Sequence, residues 1–194
     1  MRLSLKKPKP RNDEELMLLV QKNDPEAFSM LYDRYAGRMV NFFYLRLGYD
    51  EPKAQDFLHD LFVKILQNPF SYAPGNNFRS WLFTLAMNMC KNEYRSQQVR
   101  EEYRLFVKSN VTGISEENHV AIDMKLFGRE LLVKLELLPV TQREVFLLRY
   151  REELSIAEIS EVMGIPEGTV KSRLFHTLRI LALHLKKFDP VHSG

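Results

Sequence analysis

Apolar residues recur every three or four positions along nearly the whole chain, and no stretch sustains a period-two alternation, so the pattern predicts an all-α protein. The most regular run is Ala54, Phe57, Leu58, Leu61, Phe62, Ile65 and Leu66. It belongs to a helix that starts near Glu51-Pro52 and exposes Asp56 and Asp60, one turn apart, on the opposite face. Upstream, Asn12 with Glu15 has capping-box spacing and opens a short helix to about Lys22. Asp24-Pro25 then supplies an N-cap and a first-turn proline for a longer helix, whose stripe of Phe28, Leu31, Tyr32, Tyr35, Met39, Phe42 and Phe43 runs to about Gly48. Residues 68–77 read as a loop by their Pro, Gly and Asn content, although they include Phe70 and Tyr72. A fourth helix from about Phe78 is expected to bury Phe78, Leu82, Leu85 and Met89 and to run out towards Arg104. Trp81, a large apolar residue at helical spacing, is assigned to its core side.

Over residues 108–119 the period is lost and turn formers accumulate, which marks a linker. A new helical pattern, with Ile122, Leu126, Leu131, Leu132, Leu135 and Leu138, leads to Pro139. Thr141 with Glu144 and Ser155 with Glu158 both read as capping boxes, so helices are expected to start near Gln142 and Ile156. The second carries Ile156, Ile159 and Met163 on one stripe, and Gly164 can supply the positive φ that ends it. Pro166 fits the first turn of a further helix, with Val170, Leu174, Leu178, Leu181 and Leu185 inward and Thr169, Lys171, Ser172, Arg173 and His176 outward. Two helices joined by a tight glycine turn have the outline of a helix-turn-helix. The organisation is thus a basic tail (1–11), a helical domain (12–105), a flexible linker (106–121), a helix-turn-helix domain (122–188) and a C-terminal tail (189–194).

Charge sharpens this picture locally. Lys+Arg number 28 and Asp+Glu 25, a small overall excess. After Pro166, however, Lys171, Arg173, Arg179, Lys186 and Lys187 stand against Glu167 and Asp189, so positive potential gathers on the helix that would meet phosphate. The 45% hydrophobic content is that of a folded chain. No apolar run approaches the ~18 residues of a membrane span, and the basic N-terminus has no apolar signal segment, so a cytoplasmic protein is expected. The single Cys90 reads as a small core residue, and the five histidines form no metal or nucleophile constellation. With no phosphate-binding glycine loop and no paired nucleophile and base, neither enzyme activity nor a cofactor is expected.

Three strings resemble a known family. Ala54-Gln55-Asp56-Phe57-Leu58-His59-Asp60-Leu61-Phe62 keeps the acids and apolar frame of one family helix, with Gln55 and His59 in place of Glu and Gln. Phe78-Arg79-Ser80-Trp81-Leu82-Phe83-Thr84-Leu85-Ala86-Met87-Asn88 follows a second, Met87 standing where arginine is usual. Leu138-Pro139, Gln142-Arg143-Glu144-Val145-Phe146 and Gly168-Thr169-Val170-Lys171-Ser172-Arg173-Leu174 follow the promoter-reading region, with His176-Thr177 in place of a frequent Arg-Ala. Together they resemble the RNA polymerase sigma factors of the small, two-domain extracytoplasmic-function type.

That resemblance implies a region 2-like bundle and a region 4-like helix-turn-helix, directing core RNA polymerase to promoters and assisting their melting. Asp56, Asp60 and Val63 would contact polymerase, whose β′ clamp and β flap are the implied docking regions. Lys171 and Arg173 would meet bases or phosphates of the upstream (−35) duplex, with Thr169 and Ser172 on phosphate and His176 making a weaker contact. Phe175 could pack on a thymine methyl or belong to the core. For the melted downstream (−10) strand, Phe70, Asn77 and Asn88 resemble a base-receiving pocket, with Lys91 and Arg95 tracking the backbone. A regulatory anti-sigma protein, membrane-anchored while this chain is not inserted in the bilayer, is a further implied partner. The alternative is a conventional helix-turn-helix repressor or activator with a dimerising or effector-binding N-terminal domain, which predicts palindromic sites and DNA binding without polymerase.

Overall fold

A computed structural model of the chain describes residues 11–108, 131 and 133–184, with side chains described for 11–98, 131 and 133–183. Among the described residues all regular structure is helical, and the chain divides after Val99 into two compact units. No described helix is long and apolar enough to cross a membrane.

In the first unit α1 spans Asp13–Val20, α2 Pro25–Arg46, α3 Glu51–Gln67 and α4 Phe78–Lys108, with a 3-10 turn at Pro69–Ser71. The helix starts follow from local chemistry. Asn12 and Glu15 close a reciprocal capping box. Asp24 accepts from the amides of Glu26 and Ala27 at 2.9 and 3.1 Å, and Asp50 from that of Lys53 at 2.9 Å. α4 remains helical through 106–108. The rest of the linker expected over 106–121 lies outside the described residues, as do the tails 1–10 and 189–194 and the apolar positions Ile122, Leu126, Leu132 and Leu185.

Aromatic side chains join the helices. Phe43 meets Phe57 of α3 edge-on at 5.4 Å, while Tyr35 and Phe42 meet Phe78 and Phe83 of α4 at 5.5 and 5.3 Å. Burying a ring of this size contributes about 1.5–3 kcal/mol, and the edge-on geometry adds to that. The expected stripes are right at their centres and wrong at their margins. Tyr32 and Leu66 are exposed and Phe57 is half-buried, Tyr32 lying across Phe62 at 4.8 Å.

α4 differs more. Leu85 and Met89 are only half-buried, whereas Phe83, Ala86, Met87 and Cys90 join Phe78 and Leu82 in the core. At 3.6 residues per turn this buried arc is rotated roughly a quarter turn from the expected one. Lys53 of α3 pairs with Glu93 of α4 at 2.6 Å, and the Tyr94 hydroxyl donates to the Arg46 carbonyl. Arg46 is itself buried, its guanidinium 3.7 Å from the centre of the Phe42 ring.

α1 is bound in by polar contacts. Asp13 accepts from both Arg34 and the Tyr35 hydroxyl of α2, Glu14 accepts from the Phe78 amide of α4 at 3.1 Å, and Gln21 donates to the carbonyls of Pro69 and Tyr72 at 3.0 and 2.8 Å.

In the second unit a helical stretch at 133–136 precedes α5 (Val140–Tyr150), α6 (Ile156–Met163) and α7 (Glu167–His184). The helix expected from Gln142 starts earlier, at Val140, and the Thr141 capping box does not form. Pro139 occupies the cap with φ −52°, and its carbonyl takes the amides of Gln142 and Arg143 at 2.8 and 3.1 Å. Glu144 is buried instead of reaching back. At α6 the predicted box forms, Ser155 and Glu158 exchanging bonds of 2.7 and 3.2 Å. Ile159 and Val162 supply its buried face, with Ile156 and Met163 half-buried. Pro166 stands one residue ahead of α7, where its carbonyl receives the amides of Thr169 and Val170 at 2.9 and 3.1 Å. Along α7 the inner face is Val170, Leu174, Thr177 and Leu181, and Leu178 is exposed. Position 177 continues the line from 170 and 174, whereas 178 stands at its edge.

Burial foremost, then the bond to and the charge of Asp13, raises the Tyr35 hydroxyl well above the ordinary tyrosine range, and burial followed by the charge of Glu14 raises Tyr72. The folded state therefore holds both protons more tightly than the unfolded chain. Their stabilisation is complete below pH about 10 and is lost as pH climbs through the raised values. Urea unfolding followed against pH should show the first unit weakening above pH about 10, with a shallower slope in Tyr35→Phe. An identical slope in that variant would rule out the Tyr35 contribution.

Candidate nucleic-acid interface

The turn between α6 and α7 fixes how α7 leaves the second unit. Gly164 takes φ +67°, its amide donates to the Glu161 carbonyl at 3.2 Å, and that of Ile165 donates to Ser160 at 3.1 Å. This is the Schellman arrangement, which satisfies the last carbonyls of α6 and reverses the chain. The Ser160 hydroxyl adds a bond to the Ile165 carbonyl at 2.6 Å. α7 then packs one face on α5 and α6 and leaves the other to solvent.

On that outer face Lys171, Ser172 and His176 are exposed, and Thr169 and Arg173 are half-buried. Phe175 is 63% exposed, so the structure takes it out of the core, with its ring edge-on to His176 at 5.6 Å. Gly168, Ser172, Phe175 and Arg179 follow one another by three or four residues along the centre of this face, with His176 beside them. Arg179 was absent from the predicted site, yet its position one turn beyond Phe175 and His176 is readable from spacing alone. Lys171 lies 3.5 Å from Glu167 one turn earlier, an exposed pair worth at most a few tenths of a kcal/mol and readily exchanged for a phosphate.

In the first unit the rotation of α4 turns Trp81, Thr84, Asn88, Lys91 and Arg95 into one outward line, three or four residues apart. Asn88, Lys91 and Arg95 are exposed. Trp81, expected in the core, is half-buried at the rim: its ring meets Tyr72 edge-on at 5.4 Å and leans on Phe78 at 5.7 Å. Such a line presents an aromatic surface, hydrogen-bonding groups and two cations in sequence, the set that single-stranded nucleic acid needs. The loop before α4 separates its two aromatics. Tyr72 is buried, and Phe70 is 74% exposed within the 3-10 turn. Asn77 is exposed, and its side-chain oxygen accepts from the Ser80 amide at 2.8 Å, so that oxygen serves to start α4.

On α3 Asp56, His59 and Asp60 are exposed. Val63, expected to contact polymerase beside them, is half-buried. The second unit also exposes Val133, Leu137 and Val140, an apolar group at its N-terminal end. Among the described residues no three His, Cys, Asp or Glu side chains are placed to hold a metal ion.

Residues 31–100 match the family described as Sigma-70 region 2, and residues 128–181 match Sigma-70, region 4. The ECF RNA polymerase sigma factor SigL of Mycobacterium tuberculosis is 32% identical over 160 residues, covering 81% of this chain and 88% of SigL. The ECF RNA polymerase sigma factor BldN of Streptomyces coelicolor is 29% identical over 170 residues, 87% of this chain and 64% of BldN, so the chain spans under two thirds of that relative. A solved structure of the sigma factor RpoE with the anti-sigma factor NepR from Bartonella quintana superposes with a TM-score of 0.62 at 24% identity, covering 82% of this chain and 96% of that one, and supports the fold.

An added Cβ at Gly164 meets nothing within 4 Å, so replacement there strains only the backbone. Gly164→Ala should cost about 1–2 kcal/mol in chemical denaturation of the second unit. An unchanged midpoint would contradict the role given to the turn.

Proposed function

This chain belongs to the extracytoplasmic-function RNA polymerase sigma factors, non-catalytic subunits that direct polymerase in transcription initiation, and we propose that four of its surfaces divide that work. α7 reads the upstream (−35) duplex from the major groove. Lys171 and Arg173 donate to guanine edges or phosphates, Thr169 and Ser172 hold phosphate, Phe175 covers a thymine methyl or sugar, and His176 makes a weaker contact. The outer line of α4, with the loop at 70–77, receives the melted (−10) strand. Phe70 and Trp81 offer ring faces, Asn77 and Asn88 offer base-edge partners, and Lys91 and Arg95 follow the backbone. The acidic face of α3, with Asp56, Asp60 and the adjoining Val63, meets the β′ clamp. Exposed Val133, Leu137 and Val140 suit the β flap.

The observation that carries this reading is the outer line of α4. A repressor needs a duplex reader and a dimer face, and has no use for an aromatic, polar and cationic track on its other unit. The solved sigma factor in complex with an anti-sigma factor favours an anti-sigma partner for this chain as well. In this reading the chain works in the cytoplasm beside polymerase, and membrane anchoring belongs to that regulator. The domain boundaries proposed for this work are 12–105 and 122–188.

Run-off transcription with purified core polymerase and genomic promoter fragments tests the reading: specific transcripts are expected only when core and this chain are both present. Failure to bind core and to direct any transcript would overturn it. Variants should separate the surfaces. Lys171→Ala with Arg173→Ala should weaken upstream-duplex binding by about tenfold or more and flatten its salt dependence, leaving core association unchanged. Asp56→Arg with Asp60→Arg should slow core association and leave the free chain folded. Equal loss of both activities in both variants would contradict the division.

A further inference from the structure

The exposed Phe70 sits on a loop that holds itself only in part. Within residues 68–77 the Ser71 amide and hydroxyl donate to the Asn68 carbonyl, the Tyr72 amide to Pro69, the Asn76 amide to Ala73 and the Tyr72 hydroxyl to Asn76, while the Tyr72 carbonyl takes its donor from a distant part of the chain. The Gln21 amide, just past the end of α1, donates to Pro69 O at 3.0 Å and Tyr72 O at 2.8 Å, bracketing Phe70 in sequence. On the other side of the loop, Glu14 accepts from the Phe78 amide at 3.1 Å, setting the first residue of α4. Between these two clamps the Tyr72 ring is buried against Phe78 and Trp81, at 6.0 and 5.4 Å. Gln21 and Glu14 both precede residue 31, where the match to Sigma-70 region 2 begins.

We propose that α1 is a positioning element for strand capture: Gln21, with Glu14, fixes the loop backbone so that Phe70 projects beside the outer line of α4 in the free protein. The inference rests on the proposed role of that line. Holding an aromatic side chain in its bound orientation removes an ordering cost from the capture step, so the clamp acts on strand affinity and not on the polymerase or duplex surfaces. Gln21 itself touches no nucleic acid. Its amide donors are used up on the loop carbonyls, and its influence passes through the backbone.

The test uses holoenzyme and the downstream-element single strand from a promoter that wild-type holoenzyme transcribes. Gln21→Leu removes both donors, and Gln21→Glu keeps the size while replacing the donating amide by a carboxylate that cannot donate. Both should bind the strand about tenfold more weakly, the equivalent of one or two lost hydrogen bonds, with core association and upstream-duplex affinity unchanged. Glu14→Gln, whose amide oxygen can still accept from the Phe78 amide, should bind as wild type does, and Glu14→Ala should not. Strand affinity equal to wild type in both Gln21 variants would overturn the inference and leave the function standing. Equal loss of core and strand binding in both would also overturn it, since that is unfolding of the whole unit. If wild-type holoenzyme fails to bind the strand, the proposed function is what fails.

Discussion

The side chain of Gln21, at the end of α1, ties down the loop between α3 and α4 by donating to the carbonyls of Pro69 and Tyr72. Once the loop is held, the Tyr72 ring is buried against Phe78 and Trp81. Phe78 in turn packs on Tyr35 of α2, and the Tyr35 hydroxyl donates to Asp13 of α1. The chain of contacts closes on itself through α1, a helix of 8 residues. Its consequence is the rotation of α4. With Phe78, Leu82, Phe83 and Ala86 inward, Trp81, Asn88, Lys91 and Arg95 have only the outside to occupy.

The second unit reaches a similar end by a more local route. The left-handed Gly164 and the Ser155 box fix both ends of α6, and the short turn to Pro166 leaves α7 little freedom in where it starts. Three apolar residues and Thr177 then commit one face of α7 to the core, and the opposite face is left to Ser172, Phe175, His176 and Arg179. One unit thus exposes a helix suited to a duplex groove, and the other a rim suited to an unpaired strand. A promoter opened at one place and kept double-stranded at another presents both forms of DNA.

What could be read from the sequence was what depends on neighbours a few residues away. The boxes at Asn12 and Ser155, the cap at Asp24 and the turn at Gly164 are all local, and all form. The box at Thr141 is also local but was outbid, because Pro139 already occupies the cap with its dihedral preset. The phase of α4 was not legible. Apolar residues cover more than half of its circumference near Phe78, so several stripes fit the pattern, and the choice is made by Tyr35 and Phe42 of α2. Trp81 lies at the rim for the same reason, and along α7 register outweighs hydropathy, so Thr177 is buried and Leu178 is not. The bond from Gln21 to Tyr72 spans 51 positions and leaves no periodic trace at all.

Phe70 and Phe175 are proposed to meet different forms of the same promoter. A photo-crosslinking amino acid placed at each position in turn, in holoenzyme bound to an end-labelled promoter, tests it most directly. Position 70 should crosslink to the unpaired downstream strand and only after melting, whereas position 175 should crosslink to the upstream duplex before and after melting. Crosslinks from both positions to the same duplex segment, or from position 175 alone to two symmetric half-sites, would contradict it.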